Sequence, residues 1–328
     1  MIEAQPAQAT TPIARLGAPE TAKAPAKKLT GKSAVLEQLE TPEHQSWKQF
    51  RFMIAFGLLG IHAVGVLGFW YFSWSGLAIA LAMYVITIPL GVSIGFHRLL
   101  THRSFECPTW LSWICGLSGT LAMQAGPVTW VAAHRLHHSD ADRQPDPHSP
   151  FVSFMWSHLF WFLFWDPRLQ DVENRNRLAK DVVARPGQLA LEDSYWWISL
   201  LVPAVLFGAG WLVGGTYLGM SWMTWGWALR LVAGWHATFF VNSACHLWGY
   251  RNYDIVDNSR NNWWVALSTF GEGWHNNHHA DPSSAAHGHR WFEYDPAFWF
   301  IVALSKVGIV KNVRRPSHTE RMNHAAGE

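Results

Sequence analysis

The stretch 52-FMIAFGLLGIHAVGVLGFWYF-72 is apolar along its whole length and contains no Asp, Glu, Lys or Arg. As an α-helix it would be about 30 Å long, which matches the hydrocarbon core of a bilayer. It has no charged face that could lie in water. The stretch therefore predicts a helix that crosses a membrane.

Three further segments are similarly apolar, at 77–96, 196–214 and 222–245, and Arg230 in the last of them is their only charged residue. The links 73-SWSG-76 and 215-GTYLGMS-221 contain no Lys or Arg, whereas the segments outside the two hairpins hold nearly all the basic residues. Basic residues accumulate on the cytoplasmic side of a membrane. We therefore expect an all-α integral membrane protein with four spanning helices in two hairpins. Both termini and the region 97–195 would face the cytoplasm, and in a bacterium the membrane would be the inner (plasma) membrane.

The overall composition agrees with a membrane protein. Hydrophobic residues make up 49% of the chain and charged residues only 15%, against about 25% charged in a soluble domain. The 22 tryptophans suit a membrane–water interface, where this residue is enriched. A formal net charge of +2 gives no reason to expect binding to nucleic acid.

Three regions follow from the composition along the chain. Residues 1–45 are rich in Ala, Pro, Thr and Lys and predict a disordered basic tail. Residues 46–310 form the membrane domain, and residues 311–328 form a second basic tail.

Two apolar segments are less simple than the four spans. We expect 110–128 to form a buried or half-inserted hairpin, because a single crossing would put Arg98 and Arg135 on opposite sides of the membrane. The run 297–310 is too short to span and predicts an interfacial helix, with Asp295 as its N-cap and Pro296 in its first turn.

Half of the 18 histidines fall into four groups, which are 97-HRLLTH-102, 134-HRLHH-138, the last residue of 242-NSACH-246, and 275-HNNHH-279. Within the second and fourth groups the histidines stand at i, i+3 and i+4, which places them on one face of a helix. His97 and His102 are five residues apart. They could reach one site if the helix ends between them, or they could serve two metals.

All four groups lie at the predicted cytoplasmic membrane boundary, and nine imidazoles are too many for one ion. We therefore expect two metal ions, and neutral imidazole with open coordination positions suits iron used for oxygen chemistry. The asparagines between the histidines of 275–279 are expected to be solvent-facing. The other nine histidines are expected to be ordinary surface or satisfied core residues, namely His44, His62, His148, His158, His236, His287, His289, His318 and His324.

The pattern HRxxTH, HRLHH, NSACH and GEGWHNNHH resembles the membrane-bound fatty-acyl desaturases, in particular bacterial members of the delta-9 (stearoyl-type) branch. The resemblance covers about residues 46–310. Further matching stretches are 124-QAGPVTWVAAHRLHH-138, 145-PDPHSP-150, 157-SHLFW-161 and 287-HGHRWFEYDP-296.

This resemblance implies a helical stem of four spans under a cytoplasmic cap that holds a diiron centre, with no catalytic residues beyond the metal ligands. Asn242 would hold a water on one of the two Fe2+ ions. The implied ligands are His97, His102, His134, His137, His138, His246, His275, His278 and His279.

The resemblance also implies the reaction. O2 and two electrons would serve to introduce a cis double bond, at the delta-9 position, into a saturated acyl chain. The acyl carrier stays open between CoA, a glycerolipid and a carrier protein. No haem-binding HPGG motif occurs in the chain, so we expect a separate electron donor, either a ferredoxin or cytochrome b5 with its reductase.

Acidic residues near the ligands are expected to accept the second N–H of the bound imidazoles. Glu272 and Asp146 are preferred to Asp140 and Asp142 for this role. Arg98 and Arg135 stand inside the histidine groups. Both are expected to pair with these acids in preference to an anionic head group.

Two alternative functions stay open from the sequence. A diiron hydroxylase on the same scaffold would insert oxygen instead of completing a dehydrogenation. A membrane metal transporter belongs to another class, but transporter sites lie near the bilayer midplane, and here the histidines stand at helix ends on one side.

Overall fold

The computed structural model describes residues 46–143 and 146–317, and this part of the chain is helical with no β-strand. The predicted all-α class is therefore confirmed. The predicted N-terminal tail lies outside the described residues, as does the C-terminal tail beyond residue 317.

The longer helices are α1 (Phe52–Leu67), α2 (Trp74–Thr101), α3 (Thr109–Thr120) and α4 (Pro127–Asp140). Five short helices follow, α5 (Phe154–His158), α6 (Pro167–Gln170), α7 (Val172–Leu178), α8 (Lys180–Val183) and α9 (Gln188–Asp193). The stretch Tyr195–His246 is broken at Gly214 and Gly215 into two arms, α10 (195–213) and α11 (216–246). The last helices are α12 (Trp263–Thr269), α13 (His275–Ala280) and α14 (Pro296–Lys306).

The first helical pair turns earlier than the sequence predicts. Helix α1 ends at Leu67, and α2 begins at Trp74, inside the segment predicted as a link. The reason is a cap: the Ser73 side chain accepts a hydrogen bond from the Gly76 N–H at 2.9 Å, which satisfies one of the free N–H groups of the first turn.

The second pair turns at two glycines. Gly215 has φ +71° and ψ −168°, a conformation that is essentially restricted to glycine. The arms fold back on each other, since a side chain at Gly210 would collide with the Leu218 carbonyl. Helix α11 then runs through most of 215–221, which the sequence predicted to be a loop.

The structure has the surface expected of a membrane protein. Among the described residues, the segments Trp74–Thr101 and Tyr195–His246 are helical, long and apolar enough to cross a bilayer. Large apolar side chains of α10 lie open, with Leu212 78% and Trp197 77% exposed. Such a surface would be costly in water because it leaves a contiguous apolar face unburied.

The segment 110–128 contains a short helix and a turn rather than one crossing. Helix α3 has 12 residues, or about 18 Å. It packs closely on α2, because Gly91 leaves room for the backbone of Ser118 and Gly119. The turn after α3 receives the buried Arg230, which donates to the Leu121 carbonyl at 2.8 Å.

Three of the histidines outside the four groups link the helices. His62 on α1 lies 3.3 Å from His236 on α11, and the other ring nitrogen of His236 lies 2.9 Å from His158 on α5. These rings are satisfied core residues, as the sequence predicted. Helix α14 also begins as predicted, with Asp295 accepting from the Phe298 N–H at 3.0 Å and Pro296 in the first turn.

Candidate metal centre

Four helical elements converge at one end of the longest helices. The end of α2 carries His97 and His102, and the end of α11 carries His246. Helices α4 and α13 carry the two triplets. Pro127 begins α4 at a position where its missing N–H costs nothing.

The nine histidines separate into two groups, and within each group the ligand atoms lie within 4.8 Å of one another. The first group consists of His97, His102, His134, His138 and His278. The second group consists of His137, His246, His275 and His279. These two sets are called the first group and the second group below.

Each triplet divides between the groups, which the sequence did not predict. On α4 the i and i+4 residues, His134 and His138, join the first group, while His137 joins the second. On α13 the i and i+4 residues join the second group, and His278 joins the first. An α-helix turns about 100° per residue, so i and i+4 are about 40° apart and i+3 points about 60° to the other side. Each helix can therefore serve two sites at once.

His97 and His102 reach the same group because α2 ends between them in wide turns. The His102 N–H donates to the His97 carbonyl at 3.1 Å, an i to i+5 hydrogen bond. The helix ends at Thr101, and His102 is its C-cap with φ −94° and ψ −11°. Of the two alternatives left open by the spacing, the structure favours a helix that ends between the two histidines.

The contacts between imidazoles fit metal ligands better than hydrogen bonds. The His278 Nε2 atom lies 3.0 Å from that of His97 and 2.9 Å from that of His138. In the second group, His275 Nε2 lies 3.0 Å from the Nε2 atoms of both His246 and His279. Nitrogens at about 2.1 Å from one ion and at right angles are about 3.0 Å apart.

Carboxylates hold four of these rings by Nδ1, which leaves the Nε2 lone pair free for an ion. The pairs are His97 with Glu272, His137 with Asp146 at 3.0 Å, His246 with Asp142 at 2.9 Å and His279 with Asp257 at 3.1 Å. The buried His137 Nε2 has no hydrogen-bond partner in the part of the chain that the structure describes. An unpaired buried nitrogen is costly, and an ion in the second group would satisfy it.

The protonation states agree with this arrangement. Burial, and then the neighbouring imidazoles, lower the pKa of His134, His138 and His278 well below the usual value for histidine. Burial alone would raise the pKa of Glu272, but His97, His287 and Arg98 together lower it. Neutral rings next to ionised carboxylates are the forms that bind a divalent cation.

Glu272 and Asp146, the two acids preferred from the sequence, contact His97 and His137. Of the two acids that the sequence favours less, Asp142 contacts His246. Asp140 contacts Ser139 instead. Asp257 was missed, because no spacing signal connects it to His279. It lies in the loop after α11, and only the folded chain brings the two together.

Both arginines pair with carboxylates, but only Arg98 pairs with one of the acids predicted from the sequence, and the prediction for Arg135 is wrong. Arg98 is completely buried and lies 3.1 Å from Glu272 and 2.9 Å from Asp295. Arg135 pairs with Asp181 at 2.6 Å, not with the acids near the ligands. It also donates to the carbonyls at the end of α2, at 3.2 Å each, and so fixes α4 against α2.

Four residues that the sequence assigned to surface or filler roles lie inside the centre. Asn276 and Asn277 are both fully buried, so the prediction that they face solvent is wrong. Asn277 alone makes hydrogen bonds to Asn252, Asn261, Glu293 and the His287 carbonyl.

His148 and His287 were expected to be ordinary histidines. His148 is buried against the His137 ring, with centroids 4.4 Å apart. His287 lies fully buried against His97 and His278. Their isolation in the sequence gave no signal, because the spacing rules find only ligands that share a helix.

A narrow cavity of about 40 Å³ reaches the histidines from the helical stem. Asn242 lines it together with Thr238 and with rings of both groups. The apolar part of its lining consists of Ile88, Val92, Trp130 and Val241, and Ser93, Thr269 and Glu272 add further polar groups.

Comparison with known proteins gives a consistent result. A family model described as "Fatty acid desaturase" matches residues 69–306. An sn-1 stearoyl-lipid 9-desaturase of Anabaena variabilis is 42% identical over 78% of this chain and 91% of its own length. The sn-1 stearoyl-lipid 9-desaturase of a Synechocystis strain is 41% identical over 83% of each chain. An sn-2 palmitoyl-lipid 9-desaturase of a Nostoc strain is 38% identical over 83% of this chain and 93% of its own.

Proposed function

The chain belongs to the fatty acid desaturase family, and from this premise we propose that it introduces a cis double bond at carbon nine of a saturated acyl chain carried on a membrane glycerolipid. Family membership makes it an oxidoreductase that desaturates fatty acyl chains. The position and the lipid carrier are supported by three relatives whose names specify 9-desaturation of stearoyl-lipid or palmitoyl-lipid.

One observation carries the proposal: nine histidines converge as a group of five and a group of four. We propose that each group holds one iron ion through the Nε2 atoms, and that Asn242 contributes through a water. All-nitrogen sites with open positions suit iron that reacts with O2. The four carboxylates on Nδ1 fix the tautomers and raise the basicity of the ligands.

The iron pair would supply the oxygen chemistry, in which O2, two electrons and two protons become two waters as two hydrogens leave adjacent methylenes. The protein supplies position and exclusion of water. Ile88, Val92 and Val241 give the cavity an apolar wall for the acyl chain. Thr238 and Asn242 add polar groups to the same cavity beside the histidines.

We further propose that α1, α2, α10 and α11 cross the membrane and that the histidine groups face the cytoplasm. The basic composition of the regions outside the hairpins supports this orientation. Electrons would come from a separate ferredoxin, or from cytochrome b5 with its reductase. Exposed cations such as Arg177 and Lys180 would attract an acidic donor.

Expression in a host that lacks unsaturated fatty acids tests the function directly. We expect new monounsaturated chains with the double bond at carbon nine, located by mass spectrometry. The variant His278→Ala should lose the product while the protein stays in the membrane fraction. A hydroxylated chain would favour the hydroxylase, and metal uptake without any change in lipid unsaturation would favour the transporter.

The carrier is tested with purified protein, a reducing system and labelled substrate. Stearoyl-glycerolipid in vesicles and stearoyl-CoA are offered in parallel, and products are read before any acyl exchange. Conversion of the CoA thioester alone would refute the lipid carrier without refuting desaturation.

A further inference from the structure

His278 differs from the ligand rings that are held by a carboxylate. Its Nε2 atom faces the first group, 3.0 Å from His97 Nε2 and 2.9 Å from His138 Nε2. Its Nδ1 atom is buried and has no hydrogen-bond partner among the described residues. Metal-bound imidazoles ordinarily give this N–H to a carboxylate or carbonyl, so His278 lacks an expected partner.

His287 supplies unpaired nitrogens at the same place. The residue is 0% exposed, and neither ring nitrogen has a hydrogen-bond partner among the described residues. Its ring centroid lies 4.5 Å from that of His278, and its Nδ1 lies 3.5 Å from Glu272 Oε2. Leaving a buried polar group unpaired costs about 1–3 kcal/mol, so three such nitrogens side by side require an explanation.

The hydrogen-bond donors and acceptors of Glu272, His287 and His278 match in one order, from His278 through His287 to Glu272. Ionised Glu272 can only accept, so His287 donates to it from Nδ1. A neutral imidazole then has one acceptor left. His278 Nδ1 carries a hydrogen when its Nε2 lone pair faces an ion, so it donates to that acceptor. The His287 Nδ1 to Glu272 Oε2 distance of 3.5 Å is longer than a direct hydrogen bond, and a small shift of the His287 ring on metal binding would complete the contacts.

The His287 backbone is held from two sides, so the ring position is built into the fold. Its N–H donates to Asp295 Oδ2 at 2.7 Å, and its carbonyl accepts from Asn277 Nδ2 at 2.8 Å. Asp295 also pairs with Arg98, and Arg98 pairs with Glu272. The loop thus places His287 in register with the carboxylate it would contact.

We propose that His287 is a positioning residue of the first group, which couples His278 to the same Glu272 carboxylate that holds His97. This inference rests on the proposed function only in that the first group binds a metal ion. One carboxylate then sets the tautomer of two ligands, His97 directly and His278 through His287. Loss of this coupling would lower the metal affinity of the first group and leave the metal affinity of the second group unchanged.

The test uses the full chain in detergent, freed of metal and titrated with Co2+, whose visible absorption reports each site as it fills. His287→Phe keeps the ring volume and removes both nitrogens, whereas His287→Gln keeps a donor and an acceptor. His289→Gln is the matched control, because His289 lies on the same loop with its ring paired to Tyr253 and to the Ala286 carbonyl. Asp142→Asn identifies the second group, since Asp142 holds His246 there.

We expect the wild-type protein to bind two ions. His287→Phe should lower the Co2+ affinity of one binding step by about 10- to 100-fold. The other step, which Asp142→Asn weakens, should keep its affinity in His287→Phe. His287→Gln should retain most of the affinity that His287→Phe loses. Equal weakening of both steps, or no change, would overturn the inference while leaving the proposed function intact. A wild-type protein that binds no metal would overturn both.

Discussion

Asn277 gives the most direct test of the structure, because the sequence and the fold predict opposite results for it. It is 0% exposed. Its Nδ2 donates to Glu293 Oε2 at 2.7 Å and to the His287 carbonyl at 2.8 Å. Asn277→Asp keeps the shape but replaces this donor by an oxygen. Both contacts then join two acceptors, and one of them joins two carboxylates.

The cost can be worked out from these contacts. Each lost hydrogen bond to a buried partner costs about 1–3 kcal/mol, more when the partner is charged. Two such losses amount to about 4 kcal/mol. In a chain of this size, 1 kcal/mol shifts the melting temperature by about 1–2 °C, because the entropy of unfolding grows with chain length. We therefore expect the apparent melting temperature of Asn277→Asp to fall by about 4–8 °C.

The assay is thermal unfolding of the purified protein in detergent, followed by circular dichroism. Asn174→Asp is the matched control, because Asn174 lies outside the core and its side-chain oxygen accepts from Arg177. That variant should melt within about 2 °C of the wild type. An Asn277→Asp protein that melts together with this control would refute the burial described here and would restore the solvent-facing interpretation.

Three further predictions concern the metal centre, the hairpin and the surface. Glu272→Gln should lower metal affinity of the first group by about 10- to 100-fold, measured by Co2+ titration; an unchanged titration would contradict the role of Glu272. Gly215→Ala should destabilise by about 1–3 kcal/mol, because φ is +71° there. Gly208→Ala should not destabilise the protein, because a Cβ at Gly208 meets no neighbouring atom. Equal melting temperatures of the two alanine variants would count against the turn at Gly215. The surface prediction concerns Asp181. Burial alone would raise its pKa, but the hydrogen bond and the positive charge of Arg135 lower that pKa to about 2. The folded-state pKa lies below the unfolded value, so this stabilisation is complete above about pH 4 and is lost as pH falls towards 2. The melting-temperature gap between wild type and Asp181→Asn should therefore close over that range, and a constant gap would exclude the pair.

Much of the fold follows from local rules that the sequence states openly. Long uncharged segments predicted the apolar helices, and Asp295 with Pro296 predicted the start of α14, because these signals act within one turn or one segment. The helix ends were less accurate. The Ser73 cap and the Gly214–Gly215 pair place both turns away from the positions that hydropathy predicts. A cap or a residue with positive φ fixes a helix boundary more precisely than hydropathy does.

The candidate site shows the same division. Spacing placed each histidine triplet on a helix, and the structure has those helices. The i, i+3, i+4 spacing predicted that each triplet lies on one face of its helix. The spacing did not predict that the histidines of one face divide between two groups. His148, His287 and Asp257 carry no local pattern, so no rule based on neighbours along the chain could select them.

By itself, then, the sequence determined that the apolar segments are helical, which four groups of histidines stand out and what chemistry they suit, because apolar length, helical period and imidazole clusters are properties of contiguous residues. Only the tertiary structure decided how the nine imidazoles separate into five and four, and which carboxylates hold them. It also decided that Asn276 and Asn277 are buried. Those outcomes depend on contacts between segments far apart in the chain. His97 meets His278 across 181 positions, and such a contact forms only when helix packing brings both ends to one place.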